Sequence, residues 1–335
     1  MKIINCEETS KINELDDELY KYINQKIDFS NDIIKTFPKS FVNERFEKLK
    51  FYIKQLGILR KKPLLKQRTI EWLDARKNIL TASDLEEAIG KSCNKLAKKK
   101  AGVIINNINY SSIPALKWGT MFEEMATRCY SQKRKNIEIY EFGLIIDEKQ
   151  DHFGASPDGI NEHGVMIEIK CPYSRKIKDG SIPNKYYMQI QGQLATCCLE
   201  DCDYIECDFK TFQNLEEYLS NINENILVDH GVIAEYKNVE NGEFIYLYSD
   251  PYQTPADAIA NIQDQVLKNQ SEYNFLKYTP WSLQQINVQR VSFDKDQWVN
   301  ISEKIQNFWN HVEQCKNLPI EDIRPKKKVE FINDD

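Results

Sequence analysis

Two carboxylates and a lysine in the middle of the chain have the types and spacing of a metal-dependent hydrolytic site. Asp158 lies in a Ser-Pro-Asp-Gly turn between two predicted strands, and Glu168 and Lys170 alternate with apolar residues in the second strand. Side chains two residues apart in a strand share a face, so Glu168 and Lys170 point the same way. A hairpin joining the two strands would bring Asp158 and Glu168 together.

The chemistry that suits this group is attack of water on a phosphoryl centre. Two carboxylates, a backbone carbonyl and waters are the ligands that Mg²⁺ takes in proteins. A Mg²⁺ ion held there can activate water and stabilise charge on a phosphoryl oxygen. Lys170 can orient the water or neutralise developing negative charge.

The acid-x-Lys spacing is weak by itself, because the same triplet occurs at Asp147–Lys149, Asp208–Lys210 and Glu235–Lys237. Alone, Glu168 and Lys170 would be interpreted as a surface strand with alternating charges. Two features favour a site instead. The strand is apolar, where unpaired charges are costly, and it follows the Ser-Pro-Asp-Gly turn at hairpin distance.

The elements that must position this group combine helical and strand patterns. Apolar residues at helical spacing predict helices, and runs rich in β-branched and aromatic residues predict strands. The predicted helices are at 41–59, 70–79, 115–131, 184–199 and 294–316, and the strands at 137–147, 151–160, 165–172, 204–212, 231–250 (a hairpin) and 286–294. A further short helix is expected after Thr81 or Ser83 as its N-cap. Helices flanking a central mixed sheet make the fold class α/β or α+β.

Composition excludes several classes of protein. Of the 335 residues, 41% are hydrophobic and 29% are charged, so the chain can bury a sizeable core and global disorder is excluded. No window approaches the roughly 18 apolar residues of a membrane span. The first residues contain no apolar segment of the secretory type. We therefore expect an intracellular protein, cytoplasmic or nuclear, that is neither secreted nor membrane-bound.

Charge is unevenly distributed along the chain. The net charge is −6, yet eight Lys or Arg and one acid lie between Arg45 and Lys66, and five Lys and no acid lie between Lys91 and Lys100. Basic blocks on an acidic protein are compatible with a polyanion channel. For any single block, a solvated helix face is the simpler interpretation.

The nine cysteines are interpreted as reduced thiols. Their number is odd and no export signal is present. Cys197, Cys198, Cys202 and Cys207 cluster, but the spacing fits no paired Cys-x-x-Cys knuckle and no histidine is nearby, so buried small side chains are favoured over zinc.

Taken in order, the motifs resemble the phage lambda exonuclease and YqaJ-like viral recombinase group of the PD-(D/E)xK nuclease superfamily, in its large-DNA-virus form. The matching segments are Glu71–Arg76 with Leu80–Ser83, Trp118–Glu123, Ser156–Gly159, Glu168–Pro172 and Tyr187–Gln193, and Trp298, Trp309 and Val312 resemble the viral members. Together these ordered segments are specific, although each alone is weak. The resemblance covers about residues 67–210 and resumes near 286–315.

The resemblance implies a role for each matching residue. Asp158, Glu168 and the Ile169 carbonyl would bind Mg²⁺, for which Mn²⁺ can substitute, and Lys170 would position the attacking water. Glu123 would reach the metal from its helix, although the adjacent Glu124 could be mistaken for it. Gln189 would face the same site, and the alternative is an ordinary polar position on its helix. The resemblance also implies a binding site for a terminal 5′-phosphate, formed by Arg76, Ser83, Ser156 and Arg175. Trp72 lies on the same helix face as Arg76. The spacing from Lys170 to Arg175 is one residue shorter than in the phage pattern. Lys176 could therefore take the phosphate-binding role in place of Arg175.

The fold and function implied are those of a Mg²⁺-dependent DNA exonuclease with a restriction-endonuclease-like core. It would degrade linear double-stranded DNA from 5′ ends and leave 3′ single strands for recombination, repair or viral genome processing. An endonuclease, an RNase and a catalytically idle DNA-binding protein are the alternatives. The implied partners are double-stranded DNA, a single-strand annealing protein and copies of the same chain, which form trimers in phage relatives.

Three segments are predicted along the chain. Residues 1–66 form a helical, basic N-terminal extension outside the phage pattern. Residues 67–318 form the lambda-exonuclease-like nuclease domain. Residues 319–335 form a flexible tail.

Overall fold

The described part of the molecule, a computed structural model, comprises residues 39–63, 65, 67, 69–105, 113–150, 152–222, 229–238, 242–251, 253–268 and 273–322. The chain divides into two compact units, Met1–Lys61 and Lys62–Asp335. The first unit contributes one described helix, α1 (Lys39–Arg60). Most of the predicted extension 1–66 and of the predicted tail 319–335 lies outside the described residues, so both remain predictions.

The second unit alternates helices and strands around one large sheet. Its helices are α2 (Ile70–Lys77), α3 (Leu85–Ile89), α4 (Asn94–Lys100), α5 (Pro114–Lys133), α6 (Asn184–Cys197), α7 (Leu215–Asn221), α8 (Pro255–Lys268) and α9 (Lys295–Cys315). Within the described residues, no helix is long and apolar enough to cross a membrane.

The strands form a seven-stranded mixed sheet and two small sheets. The strands are β1 (Leu80–Thr81), β2 (Ile104–Ile105), β3 (Ile139–Tyr140), β4 (Ile145–Ile146), β5 (Phe153–Ala155), β6 (Gly159–Asn161), β7 (Met166–Lys170), β8 (Asp201–Thr211), β9 (His230–Lys237), β10 (Phe244–Tyr248), β11 (Asn274–Ser292) and β12 (Glu321–Asp322). The large sheet has the order β10-β9-β11-β8-β7-β6-β3, and the small ones are β1-β5-β4 and β12-β2. In the large sheet β7 and β8 run parallel, whereas the other neighbours are antiparallel. The predicted mixed sheet flanked by helices is confirmed.

Helix α5 covers one face of the sheet and explains the alternation in β7. Ile167 and Ile169 pack into a buried cluster with the apolar side of α5, where Phe122 stacks on Phe209 with ring centroids 4.6 Å apart. Because side chains alternate along a strand, Glu168 and Lys170 are left on the opposite face. The apolar strand thus carries a charged pair on the side away from this core.

Helix α6 packs closely against the turn that follows β1. A Cβ added at Gly192 would lie 3.1 Å from the Cβ of Ala82 and 3.0 Å from the Phe153 ring. Glycine therefore allows α6 to approach the Ala82–Asp84 turn at this point. The same cluster includes α9, whose Trp298 lies 5.6 Å from the Phe153 ring, centroid to centroid. This packing carries Ser83 toward α6.

Several local predictions were incomplete or wrong. Helices α7 and α8 were missed, and β11 begins at Asn274 rather than near residue 286. The 231–250 hairpin is present as β9 and β10, and residues 239–241 of its turn lie outside the described residues. Thr81 occupies the N-cap position of a 3₁₀ turn, Ala82–Asp84, as predicted, but its hydroxyl makes no capping hydrogen bond, and Asp84 is the N-cap residue of α3.

Candidate active site

The β6–β7 hairpin brings Asp158 and Glu168 together. Antiparallel pairing of Gly159 with Ile167 places Asp158, which precedes β6, beside the following residue of β7. The Ile169 backbone N–H donates a 2.7 Å hydrogen bond to Asp158 Oδ2. The turn is therefore tied to the strand directly at the two carboxylates.

Glu168 is fully buried, and three side chains donate to its carboxylate. The amide nitrogen of Gln189 donates to Oε1 over 2.7 Å, and that of Gln193 donates to Oε2 over 2.7 Å. The Lys170 ammonium also donates to Oε1. A buried carboxylate needs such donors, because an unpaired buried charge is costly. The site is thus built around Glu168.

The electrostatics of the site are those of crowded acids. Burial raises the pKa of Asp158 well above its usual value, and the nearby charges of Glu168 and Glu123 raise it further. Burial lowers the pKa of Lys170, but the charges of Glu168 and Asp158 outweigh burial, so its pKa is raised. Lys170 is therefore a fixed cation, and a second cation near Asp158 would relieve the repulsion between the carboxylates.

The donor set fits a hard divalent cation with an incomplete protein shell. Among the described residues, no three His, Cys, Asp or Glu side chains form a ready metal cluster. Asp158 and Glu168 supply oxygen donors, and Mg²⁺ usually keeps several waters beside one or two carboxylates. The two carboxylates therefore match Mg²⁺ better than a metal that needs a complete protein cage.

Glu123, rather than its neighbour, faces the acidic group. Glu123 lines the same cleft as Lys170 and Gln189, and its charge acts on Asp158. Glu124 instead accepts a 2.9 Å hydrogen bond from Arg128 Nε one helical turn along α5. The geometry therefore places Glu123, and not Glu124, at the acidic group.

A second group of side chains forms a preorganised cationic pocket. The Arg76 guanidinium lies over the Trp72 ring, 4.1 Å from its centroid, and Nη2 donates to Ser83 Oγ over 3.3 Å. The Trp72 indole N–H donates to Ser156 Oγ over 3.0 Å. The structure thus brings together four of the residues predicted to grip a 5′-phosphate. Ser156 connects this pocket to the metal-site turn, since it lies two residues before Asp158.

Thr81 was not assigned to this pocket from the sequence. Its hydroxyl donates to Asp84 Oδ2 over 3.0 Å and accepts from Arg76 Nη2 over 3.3 Å. This use of the hydroxyl explains why the Thr81 side chain makes no capping hydrogen bond. Burial lowers the pKa of Arg76, whereas the Asp84 charge opposes that shift.

Lys100 supports the backbone of the same pocket. Its ammonium donates to the Arg76 carbonyl over 2.8 Å and to the Ile79 carbonyl over 2.6 Å. Because these carbonyls flank the turn between α2 and β1, Lys100 fixes the segment that carries Arg76. The basic block Lys91–Lys100 therefore includes one lysine that is not a solvated face residue.

A cleft of about 630 Å³ lies beside the acidic group and also reaches Ser83 of the cationic pocket. Its lining includes Ser83, Glu123, Ile169, Lys170, Arg175 and Gln189. Tyr186 also lines it, with its ring centroid 5.0 Å from the Lys170 ammonium. A ligand in this cleft can contact Glu123, Lys170 and Arg175 at once.

Two buried residues of the site were not selected from the sequence. Gln193 bonds Glu168, and Glu206 on β8 accepts from the Arg175 guanidinium. The spacing of Gln189 and Gln193, four residues apart on a predicted helix, could have indicated that both face one site. Glu206 gave no such signal, because its role depends on the pairing of β8 with β7.

Comparisons with known proteins agree with the ordered motifs. Residues 71–200 match the profile of the YqaJ-like viral recombinase domain. An uncharacterized protein of Acanthamoeba polyphaga mimivirus is 24% identical over 324 residues, which cover 82% of this chain and 57% of that protein. A protein of African swine fever virus is 26% identical over 168 residues, covering 38% of this chain and 46% of its own. The chain thus spans about half the length of these relatives.

Among solved structures, an alkaline exonuclease from Laribacter hongkongensis is similar, with 22% identity and a TM-score of 0.45. The alignment covers 73% of this chain and 93% of that one. The profile match spans the Trp72–Arg76 helix, the β6–β7 hairpin and the glutamines of α6. Residues 71–200 of this chain are therefore similar to the YqaJ-like viral recombinase domain, in agreement with the resemblance of the motifs.

Proposed function

We propose that this protein is a Mg²⁺-dependent exonuclease that degrades linear double-stranded DNA from its 5′ ends. The similarity of residues 71–200 to the YqaJ-like viral recombinase domain supports a phosphodiesterase of the nuclease type. Its substrate, direction of cleavage and metal are parts of the proposal. The 3′ single strands that it leaves would serve recombination, repair or the processing of a viral genome.

One observation carries the proposal. The acidic pair Asp158 and Glu168 and the cationic pocket of Arg76 are connected through Ser156. An endonuclease needs the acidic pair but has no need of a pocket for a chain terminus. The second pocket at a fixed position beside the first supports cleavage at an end.

Each residue of the acidic group has its own role in the proposed reaction. Asp158, Glu168 and the Ile169 carbonyl would hold Mg²⁺, with Glu123 nearby. When bound there, the ion supplies activation of water and charge stabilisation at the phosphate. Lys170, held by Glu168 beside this position, orients the attacking water and offsets negative charge as the bond breaks. Gln189 and Gln193 keep the Glu168 carboxylate in one orientation.

The Arg76 pocket contributes by positioning. A guanidinium can donate two parallel hydrogen bonds to a phosphate, and stacking on Trp72 fixes its plane. A terminal 5′-phosphate has more charge and one more free oxygen than an internal phosphodiester, so this pocket favours it. Binding the terminal phosphate there sets the neighbouring bond at the acidic group.

The remaining partners follow from the substrate. Contacts of Lys and Arg with phosphates make DNA affinity sensitive to salt and independent of sequence. A single-strand annealing protein would receive the exposed 3′ strand. An oligomer of this chain, as in the trimeric phage relatives, would enclose the duplex. A protein of a large DNA virus would act inside the host cell, in the cytoplasm or nucleus.

The decisive experiment compares DNA ends. Linear duplexes labelled at one end and carrying either a 5′-phosphate or a 5′-hydroxyl are digested in Mg²⁺, with closed circular DNA and duplex RNA in parallel. We expect faster degradation of the 5′-phosphorylated duplex, with mononucleotide products from the 5′ strand. The circle and the RNA should stay intact.

Other outcomes select the alternatives. Nicking of closed circles at a comparable rate would identify an endonuclease, and degradation of RNA would identify an RNase. Binding of DNA with no cleavage in either Mg²⁺ or Mn²⁺ would identify a catalytically idle DNA-binding protein. Degradation from 3′ ends would contradict the proposed direction while retaining the nuclease assignment.

A further inference from the structure

Arg175 is anchored to a buried acid next to the catalytic strand. Its Nη2 atom donates to Oε1 of Glu206, which is 0% exposed, whereas the Arg175 side chain remains 38% exposed. Glu206 lies on β8 opposite Lys170, because the parallel register of β7 and β8 pairs these two residues. The anchor is therefore at the level of the Lys170 side chain.

Tyr186 links the two cations of this wall. The centroid of its ring lies 5.0 Å from the Lys170 ammonium and 6.0 Å from the Arg175 guanidinium carbon. All three residues line the cleft. Arg175 is thus held beside Lys170 in the cleft and not merely near it in sequence.

A single anchored N–H group leaves most of the guanidinium available. The guanidinium has several N–H donors in a rigid fork, and Nη1 is only weakly engaged, 3.5 Å from the Lys176 carbonyl oxygen. Arg175 lines the cleft together with Lys170, so an anion bound there can reach its remaining N–H groups. A donor whose direction is already fixed loses less conformational entropy when it binds an anion.

The neighbouring lysine lacks these features. Lys176 is exposed and is not among the described residues that line the cleft. Of the two cations that the sequence left open for the phosphate grip, the geometry selects Arg175.

We propose that Glu206 is a positioning residue that fixes Arg175 in the cleft, and that this pair contributes to the preference for a 5′-phosphorylated DNA end. The inference rests on the proposed function, because Arg175 must contact the terminal phosphate. It goes beyond that function in assigning the selectivity to a buried residue of β8 that cannot itself reach DNA.

The test compares kcat/KM for duplexes with a 5′-phosphate and with a 5′-hydroxyl. Glu206→Leu replaces the carboxylate that accepts from Arg175 with an apolar side chain of similar size. Glu206→Gln keeps an oxygen that can accept this hydrogen bond. We expect Glu206→Leu to lose about tenfold of the preference, the size of a charge-assisted hydrogen bond, and Glu206→Gln to retain most of it. Asp208→Asn is the matched control, since it removes an exposed acid two residues along the same strand.

A double-mutant cycle shows whether Glu206 acts through Arg175. Arg175→Ala should lose a similar part of the preference, and adding Glu206→Leu to that variant should cost no more. Thermal unfolding checks each fold. If Glu206→Leu does not fold, Glu206→Asp withdraws the carboxylate by one methylene and should reduce the preference in the same direction.

The outcomes separate this inference from the proposed function. A wild-type enzyme that degrades both ends equally contradicts the selectivity and the inference with it. A wild-type preference that Glu206→Leu leaves intact overturns the inference alone. A further loss on adding Glu206→Leu to Arg175→Ala would show that Glu206 acts independently of Arg175, which also overturns it.

Discussion

Gln193 donates a 2.7 Å hydrogen bond to Oε2 of Glu168, and both side chains are buried. Gln189 and Lys170 share the other carboxylate oxygen, so Gln193 is the described side-chain donor to Oε2. Since a carboxylate can rotate about its last bond, a donor on each oxygen fixes its plane. A metal ligand that is fixed in advance binds its ion more tightly, as do other ligands oriented by outer hydrogen bonds.

The first prediction concerns metal affinity. Gln193→Leu should weaken binding of Mn²⁺ or Mg²⁺ about tenfold, because the Glu168 carboxylate loses the donor that orients Oε2. Isothermal titration with Mn²⁺ in the absence of DNA measures this affinity directly. The Mg²⁺ concentration needed for half-maximal cleavage should rise in parallel.

Gln191 provides a matched control for Gln193. It is a buried glutamine two residues earlier on α6, and it bonds the Ser292 carbonyl over 3.0 Å and the Asp294 N–H over 2.8 Å. Gln191→Leu should lower the unfolding temperature but leave metal affinity unchanged. Equal losses of metal affinity in both variants would show a general effect of disturbing α6.

The second prediction concerns the three residues of the hydrolytic group. Asp158→Ala and Glu168→Ala should each abolish cleavage in Mg²⁺, because each removes a carboxylate that we propose as a ligand of the ion. Lys170→Ala should retain DNA binding and lose turnover, because it removes a cation beside the reacting centre. Single-turnover cleavage and equilibrium DNA binding measure the two effects separately.

Lys210→Ala is the control for Lys170→Ala, since Lys210 belongs to another acid-x-Lys triplet and is exposed on β8. Its cleavage rate should match that of the wild type. Full activity in a folded Asp158→Ala or Glu168→Ala variant would exclude this site as the catalytic one.

The positions of Asp158, Glu168 and Lys170 were predictable because their geometry is local. Strand alternation determined the shared face of Glu168 and Lys170, and the length of the hairpin determined where Asp158 returns. Gln189 of α6 and the Arg76 helix were indicated by the ordered motifs, whereas Gln193 was not selected. These signals all act over short stretches of sequence.

The contributions of Glu206 and Lys100 could not be read from the sequence for a physical reason. Glu206 reaches Arg175 only because β8 pairs in parallel with β7, a register that the separate segments do not specify. Lys100 bonds carbonyls 21 and 24 residues away, which requires the docking of α4 on the α2–β1 turn. Long-range packing decided both, and local patterns favoured solvated charges.

The third prediction concerns recognition of the DNA end. Arg76→Ala should remove most of the preference for a 5′-phosphate and retain slow cleavage, because the metal ligands remain. The loss of a charge-assisted contact of about 1.5–3 kcal/mol corresponds to roughly ten- to a hundredfold in rate. Initial rates on 5′-phosphate and 5′-hydroxyl duplexes measure the preference.

Lys77→Ala is the control for Arg76→Ala, because it removes the neighbouring charge, which is exposed and paired with Asp74. Its preference should equal that of the wild type. An Arg76→Ala variant that still discriminates the two ends as the wild type does would place the 5′-phosphate elsewhere in the molecule.

The fourth prediction follows from the buried ammonium of Lys100. Burial lowers its pKa to about 8, with the Asp84 charge opposing the shift and the Arg76 charge adding to it. In the unfolded chain the ordinary lysine pKa near 10.4 applies. Between these two values the unfolded state binds more protons than the folded state, so stability rises with pH across this interval.

Lys100→Met removes the titrating group and therefore this dependence on pH. The free energy of unfolding of the wild type, minus that of Lys100→Met, should rise on the order of 2–3 kcal/mol from pH 7.5 to pH 10.5. Below the folded pKa the wild type carries the full cost of a buried charge, and above the unfolded pKa both states are neutral. Denaturant unfolding at a series of pH values gives the difference directly.

Lys95→Met serves as control, because it removes an exposed lysine from the same helix. The contrary result is a difference in unfolding free energy between wild type and Lys100→Met that stays constant or falls as the pH rises. It would show that the two carbonyl partners stabilise the Lys100 ammonium by more than burial destabilises it.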